Sequence, residues 1–331
     1  MALRGPSTFK DLGSGGHGQT AGMRAIRQDE FGGPEVLRLV EVDRPEPAPT
    51  EVLVRVHAAG VNPVDWKTRA APAFLDTPPF TVGWDVSGVV EAVSPGVTRF
   101  APGDEVFGMP WFPREAAAYA EYVTAPSRHF ARKPERLTHV EAGGLPLAGL
   151  TAWQILVDTA DVQPGQRVLV TAAAGGVGHL VVQIAKARGA YVIGTARQPK
   201  HDFLRALGAD EALDYTTTDV AEAVGQLDLV VDLLGGESSV QLMPSVTSGG
   251  LLVPVTRGGD PAIQAAADDR GVRVARFLVE PDHAGLGALA TLADTGQLRV
   301  EIDTVLPLAE AAEAHRIGEA GRTRGKLVLT P

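Results

Sequence analysis

The stretch RVLVTAAAGGVGHLVVQIAKAR, residues 167–188, decides the fold of this 331-residue chain. It opens with a short, almost entirely apolar run that predicts a buried strand, and it closes with ten residues whose apolar side chains recur at helical spacing. Between them lie Gly175, Gly176 and Gly178. A strand, a glycine-rich turn and a helix in this order open the first unit of doubly wound α/β folds. The stretch therefore predicts a Rossmann doubly wound parallel sheet.

The residues that follow this stretch continue the same pattern. Tyr191–Thr195, Leu227–Asp232 and residues 251–255 are short, nearly continuous apolar runs, and helical stretches separate them. Such runs are typical of parallel strands that helices cover on both faces. We assign residues 149–282 to this nucleotide-binding domain.

The chain before this domain has a different hydrophobic pattern. Residues 52–57 alternate apolar and polar side chains, and turn signals such as Asn62-Pro63 recur between short stretches of this kind. We assign residues 23–148 to a mainly β domain. Residues 1–22 hold six glycines and no hydrophobic period, so we interpret them as a flexible head and exclude them from the fold.

Charge and composition exclude several function classes. The 30 basic and 40 acidic residues give a net charge of −10, which disfavours binding to nucleic acid or to an anionic membrane. The chain has no cysteine, which excludes disulfides, cysteine nucleophiles and cysteine-ligated zinc. No apolar run approaches the ~18 residues of a membrane span. We expect a cytoplasmic protein without nucleic-acid or membrane partners.

The glycine-rich turn predicts a dinucleotide site. The dinucleotide fingerprint is G-x-G-x-x-G, and its three positions fall here on Ala173, Gly175 and Gly178. The second glycine lets the backbone approach a pyrophosphate, the third allows close packing of helix on strand, and the helix N-terminus offers free N–H groups. The alternative is a glycine-rich turn that only packs tightly. We predict that the cofactor contacts Ala174, Gly175, Gly176, Val177 and Gly178.

The end of the second strand predicts which cofactor binds. Enzymes that prefer NAD place an acidic residue there on the ribose hydroxyls, but this chain has Ala196. Arg197 and Lys200 follow, and both attract a 2′-phosphate that a carboxylate would repel. The alternative is that these are only solvated loop charges. The combination of the missing acid and the two cations favours NADPH.

Several further motifs resemble the medium-chain dehydrogenase/reductase superfamily, most closely its zinc-free quinone oxidoreductase-like branch. The resemblance covers nearly the whole chain from about Met23, and it implies a GroES-like β catalytic domain to which residues 283–331 return. It also implies a homodimer, for which residues 272–280 alternate enough to form an edge strand. The motifs are AGVNPVDWK at residues 59–67, VGWDVSGVV at 82–90, PGDEV at 102–106, LTAW at 150–153 and LGAD at 207–210.

The resemblance also assigns roles to single residues. Asn62 and Trp84 stand where zinc-dependent members have a cysteine and a histidine, and neither is a zinc ligand, so we expect no metal. Asn62 is expected to bond the nicotinamide side of the cofactor, although an asparagine before proline also forms turns. Lys200 matches a phosphate-contacting lysine. Tyr215 is expected near the adenine or 2′-phosphate, or alternatively in the core. Weaker candidates for cofactor contact are Thr151, Gly149 and Asp232.

The implied reaction is hydride transfer to a small molecule, a quinone or an α,β-unsaturated carbonyl compound, in the cleft between the domains. Asn62, Lys67 and Asp65 are the predicted catalytic residues, because all three lie in the motif that resembles the substrate-side loop. For Asp65 and Lys67 the alternative is an acid that starts a helix and a solvated lysine. Two other functions stay open: reduction of enoyl thioesters, and NADPH binding with little turnover.

Overall fold

The computed structural model describes residues 22–256 and 259–331. The predicted head therefore lies outside the described residues, except for Gly22, which begins the first strand. The described strands are β1 Gly22–Arg27, β2 Arg38–Asp43, β3 Glu51–Val61, β4 Val86–Val93, β5 Glu105–Gly108, β6 Tyr122–Pro126, β7 Phe130–Arg132, β8 Arg167–Val170, β9 Tyr191–Thr195, β10 Glu211–Leu213, β11 Leu227–Asp232, β12 Val246–Pro254, β13 Arg273–Val274, β14 Ile302–Pro307 and β15 Lys326–Thr330.

The described α-helices connect these strands, and none of them is long and apolar enough to cross a membrane. They are α1 Pro63–Ala70, α2 His139–Gly143, α3 Pro146–Trp153, α4 Gly178–Ala187, α5 His201–Ala206, α6 Val220–Ala223, α7 Glu237–Leu242, α8 Pro261–Asp268, α9 His283–Asp294 and α10 Ala311–Glu319. A π-helical segment, Gln154–Thr159, continues α3.

The nucleotide-binding half is a six-stranded sheet in the order β10-β9-β8-β11-β12-β13, with every neighbouring pair parallel. Successive residues of one strand enter two different cores: Val168 and Val170 of β8 pack on one side, and Leu169 between them packs on the other. Helices therefore cover both faces of the sheet, which explains why its strands read as continuous apolar runs. The predicted doubly wound α/β fold is confirmed.

The other half is a largely antiparallel seven-stranded sheet in the order β14-β15-β3-β4-β5-β7, with β6 also paired to β3. Only β14 and β15 are parallel to each other. β15 pairs with β3, so β14 and β15 complete a sheet whose other five strands lie before residue 133. This half is the predicted GroES-like domain; the domain boundaries near residues 148 and 282 stay predictions.

The predicted edge strand at residues 272–280 is much shorter in the structure. Only Arg273–Val274 pairs, as β13 at the edge of the six-stranded sheet. The chain then leaves the sheet, and Glu280 bonds the Gln154 side chain through both its backbone N–H and its carbonyl. The side-chain amide of Gln154 thus replaces a strand partner for Glu280, which alternation alone does not reveal.

Candidate functional site

The glycine-rich turn joins β8 to α4 closely, as predicted. Gly175 N donates to Ala172 O at 2.9 Å, and His179 N donates to Gly175 O at 3.1 Å. A Cβ on Gly178 would lie 2.5 Å from Ala172 O and 2.7 Å from Ala173 Cα, both backbone atoms that cannot rotate away. Only glycine fits at this third position, and its absence of a side chain sets the distance between helix and strand.

The alanine at the first glycine position has a compensating neighbour. Ala173 is fully buried, and its N–H donates to Thr195 O on β9 at 3.0 Å. Beside it on β9 is Gly194, where an added Cβ would lie 3.0 Å from the Ala173 Cβ. The missing side chain of Gly194 therefore makes the room that Ala173 occupies, and the turn keeps its shape.

A cavity of about 1160 Å³ opens beside the turn, next to the carboxyl ends of the parallel strands. In doubly wound sheets the ligand binds outside these strand ends. Six predicted cofactor residues line the cavity: Ala174, Gly175, Ala196, Arg197, Lys200 and Tyr215. Gly176, Val177 and Gly178 lie in the same turn without lining it, and neither Asn62 nor Thr151 borders it.

One corner of the cavity is basic. Arg197 Nε donates to the Tyr215 hydroxyl at 3.3 Å, and Lys200 Nζ donates to the carbonyl oxygens of Arg322 and Thr323 at 3.1 and 3.0 Å. Partial burial lowers the pKa of Lys200, and the positive charges of Arg324 and Arg197 lower it further, whereas Asp303 raises it. Tyr215 is 51% exposed, so the alternative that it belongs to the core is wrong.

The sequence prediction missed the segment 320–323, which borders the cavity between α10 and β15 of the GroES-like half. The basic pattern RTRGK at residues 322–326 was the available signal. His179 was also missed. Its Nδ1 donates to Gly175 O at 2.9 Å, and its Nε2 accepts from Glu301 N at 3.2 Å, so a neutral ring joins the turn to the segment that precedes β14. Burial lowers the pKa of His179 to about 4 and keeps the ring neutral.

Comparison with known proteins identifies the two halves. Residues 48–135 match the alcohol dehydrogenase GroES-like domain, and residues 207–329 match the family described as zinc-binding dehydrogenase. Human quinone oxidoreductase is 32% identical, over 93% of this chain and 97% of its own length.

The solved structures agree. The quinone oxidoreductase of Coxiella burnetii is 38% identical with a TM-score of 0.89, covering 94% of this chain and 100% of that one. A mycobacterial protein solved in complex with NADPH is 32% identical with a TM-score of 0.82, covering 93% and 100%. The chain belongs to the medium-chain dehydrogenase/reductase superfamily, in its quinone oxidoreductase-like branch. As a member, it is an oxidoreductase that binds a nicotinamide cofactor and acts on a small molecule.

Zinc does not fit this reductase at the position where zinc-dependent relatives hold it. Asn62 Nδ2 donates to Asp85 at 2.8 Å and its Oδ1 accepts from the ammonium of Lys326, which would repel a metal cation. Trp84 is fully buried, and its indole N–H donates to Arg114 O. Within residues 22–256 and 259–331, no three His, Asp or Glu side chains are grouped to hold a metal.

The remaining predicted residues lie at different depths. Asp65 is fully buried at the start of α1, where one oxygen accepts from Asn62 N and from the Tyr119 hydroxyl, both at 2.7 Å. Burial raises the pKa of Asp65 to about 7. This is the helix-start geometry of the alternative interpretation, and it places Asp65 in the core rather than on the cleft surface. Lys67 is exposed about half a turn further along the same helix, on its opposite face. Their catalytic roles stay predictions.

The three weaker candidates have packing or anchoring contacts. Thr151 donates its hydroxyl to Leu147 O within α3. A Cβ on Gly149 would lie 2.8 Å from side-chain atoms of Leu145 and Leu289, so this glycine allows α3 to pack against α9. Asp232, at the end of β11, is fully buried and accepts four hydrogen bonds, from the Thr171, Ser238 and Ser239 hydroxyls and from Leu234 N.

Proposed function

We propose that this chain is an NADPH-dependent reductase that transfers a hydride to a quinone or to an α,β-unsaturated carbonyl compound without a metal. The observation that carries the proposal is the basic corner of the cavity beside the glycine-rich turn. It combines two cations and a phenol with the absence of an acidic residue at the end of β9.

The choice of NADPH over NADH follows from charge. Ala196 lines the cavity at the place where NAD-specific relatives carry an acid, so position 196 has no carboxylate to repel a phosphate. The guanidinium of Arg197 and the ammonium of Lys200 line the same corner, and charge-assisted bonds to phosphate are stronger than neutral ones. The Tyr215 hydroxyl, already bonded to Arg197, adds a donor. The mycobacterial relative solved with NADPH supports this choice.

The acceptor class follows from the residues that replace zinc. The reduced nicotinamide supplies the hydride when it is bound. A zinc-bound alkoxide requires a metal that Asn62 and Trp84 do not hold, whereas a quinone or an enone accepts a hydride directly. A quinone delocalises the charge that then develops, and an enone oxygen needs a donor. The exposed Lys67, on α1 directly after Asn62, is the proposed donor or the group that orients a donating water.

The cofactor proposal is tested with Arg197→Asp. Losing one charge-assisted bond and adding a repulsive charge is expected to lower kcat/KM for NADPH by about 10- to 100-fold, with NADH changed by less than about 3-fold. The matched control is Arg205→Asp on α5, because Arg205 is exposed, pairs with Asp202 and does not line the cavity. Equal losses for NADPH and NADH in the Arg197 variant would contradict the phosphate assignment.

The acceptor proposal is tested by following NADPH absorbance with panels of quinones, alkenals and enoyl thioesters. Oxidation by quinones or alkenals supports it, and Lys67→Met is expected to lower kcat with enones more than with quinones. Selective turnover of enoyl thioesters would replace it with the biosynthetic alternative. Tight NADPH binding without oxidation by any panel would favour a binding protein.

Two further expectations remain proposals. The homodimer rests on the resemblance and on the exposed edge of the six-stranded sheet at β13, and light scattering of the purified chain tests it. The cytoplasmic location rests on composition alone, and fractionation of the producing cells tests it.

A further inference from the structure

The structure buries a cation that no step of the proposed reaction uses. Lys326 opens β15 and is only 3% exposed. Its ammonium donates to Val61 O at 3.1 Å and to Asn62 Oδ1, and it lies 3.6 Å from Asp85 Oδ2. Removing an ammonium and a carboxylate from water carries a large desolvation cost, and buried pairs often stabilise a fold no better than apolar residues would. Stability alone is therefore a weak reason for this pair.

The pair holds the side chain of Asn62 in one orientation. A carboxamide and its form rotated by 180° have nearly the same shape, so packing does not distinguish them. Charge does: Oδ1 faces the Lys326 ammonium, and Nδ2 faces the Asp85 carboxylate at 2.8 Å. The rotated form would place N–H groups against the cation and the carbonyl against the anion. Asp85 is itself fixed, because its other oxygen accepts from Leu147 N at 2.6 Å.

The same lysine also touches the glycine-rich turn. A Cβ on Gly176 would lie 3.2 Å from Lys326 Cδ, so the aliphatic part of the lysine passes over the turn before the ammonium reaches Asn62. The preceding residue, Gly325, donates its N–H to Ala174 O at 3.0 Å. Two adjacent residues of the chain thus connect the turn expected to hold the pyrophosphate with the amide expected to meet the nicotinamide.

We propose that Lys326 is a positioning residue for hydride transfer. It fixes the orientation of the Asn62 carboxamide, the group expected to meet the nicotinamide side of the cofactor, and it sets the distance of this amide from the glycine-rich turn. The inference rests on the proposed function, because it takes Asn62 to contact the cofactor during NADPH oxidation. Lys326 itself contacts no reacting atom.

The first test is Lys326→Met, which keeps the length of the side chain and removes the charge. A misplacement of about 1 Å lowers a rate by about 100-fold, so we expect kcat to fall by about 10- to 100-fold. KM for NADPH is expected to change less than about 3-fold, because the turn and the basic corner are intact. Hydride transfer then limits the rate, and the primary isotope effect on kcat with NADPH deuterated at the transferred position increases.

A second variant separates positioning from charge balance. Lys326→Met leaves the Asp85 carboxylate buried without its cation and therefore lowers the Tm. Lys326→Met combined with Asp85→Asn restores neutrality. The oxygen of the new amide at 85 stays on Leu147 N–H, so its NH2 group faces Asn62 and favours the rotated form of that carboxamide. We expect this double variant to regain most of the Tm while kcat stays low and the isotope effect stays high. Recovery of both kcat and Tm would overturn the inference and leave Lys326 with a structural role only.

Two more measurements complete the test. In an Asn62→Ala background, Lys326→Met is expected to lower kcat by less than about 2-fold further, because the group that it positions is absent. A full additional loss in that background would overturn the inference. Wild-type oxidation of NADPH by quinones and enones is measured first. If it occurs, unexpected results with the Lys326 variants contradict the inference alone. If it does not occur, both the proposed function and the inference are wrong.

Discussion

We expect acid to destabilise this fold through His179, and the variant His179→Gln isolates the effect. The neutral ring donates from Nδ1 to Gly175 O and accepts at Nε2 from Glu301 N. A protonated ring has no acceptor for that second contact. Burial lowers the pKa of His179 from 6.5 to about 4, so between these values the unfolded chain binds a proton that the folded chain excludes. The stability that this histidine contributes is complete above pH 6.5 and is lost as the pH falls toward 4.

The size of the effect follows from the interval between the unfolded and folded pKa values of His179. One proton difference changes the free energy of unfolding by about 1.36 kcal/mol per pH unit, so the interval corresponds to about 3 kcal/mol. Glutamine does not titrate. The difference in unfolding free energy between wild type and His179→Gln should therefore be constant above pH 6.5 and decrease by about 3 kcal/mol on going down to pH 4.

The assay is urea denaturation of both proteins at half-unit steps from pH 8 to pH 4. Every other titrating group is present in both chains, including the buried His315, whose contribution cancels in the difference. The constant cost of replacing the ring cancels as well, because only the change with pH is used. If the difference in unfolding free energy between the two proteins is constant from pH 8 to pH 4, the folded protein does not keep His179 unprotonated, and the assignment is wrong.

Other substitutions test the turn and the buried anchors. In a denaturation assay, Gly178→Ala should lower the unfolding free energy by about 1–3 kcal/mol, because the new Cβ meets backbone atoms. Gly175→Ala should lower it by less than about 1 kcal/mol. The Gly175 variant should nevertheless bind NADPH at least about 10-fold more weakly in a fluorescence titration. Equal stability losses in these two variants would contradict the steric argument. Tyr119→Phe deprives Asp65 of a donor and should cost about 1–3 kcal/mol in the same denaturation assay. Asp232→Ala leaves buried donors unpaired, so both stability and NADPH affinity should fall. An unchanged NADPH affinity would show that Asp232 does not contribute to the shape of the cavity.

Local patterns in the sequence were sufficient for the nucleotide-binding half. β9 and β11 have the predicted bounds, and α4 begins one residue before the predicted helix. The apolar runs and the glycine cluster that determine these elements lie within the elements or next to them in the sequence. The basic corner was also predictable, since Arg197 and Lys200 follow β9 directly. Such features depend on neighbours along the chain.

Contacts between distant segments were not predictable. Asn62 was named for a role at the cofactor, but the cation that fixes it is Lys326, 264 positions further along. Asp65 was predicted at the cleft, and the structure buries it because Tyr119 and the N–H of Asn62 satisfy one of its oxygens. A single signal pointed to the lysine: it begins the otherwise apolar strand KLVLT, where a charge that is buried needs a partner.

The contacts of residues 320–330 with both halves have a consequence for biosynthesis. Residues 320–323 border the cavity, Gly325 bonds the turn, and β15 closes the larger sheet against β3. All three are synthesised after the six-stranded sheet, so a nascent chain has that sheet available before it can bind a nucleotide tightly. A chain that stops after residue 319 should therefore have an open sheet edge where β15 would pair, which quality-control proteases and chaperones would recognise.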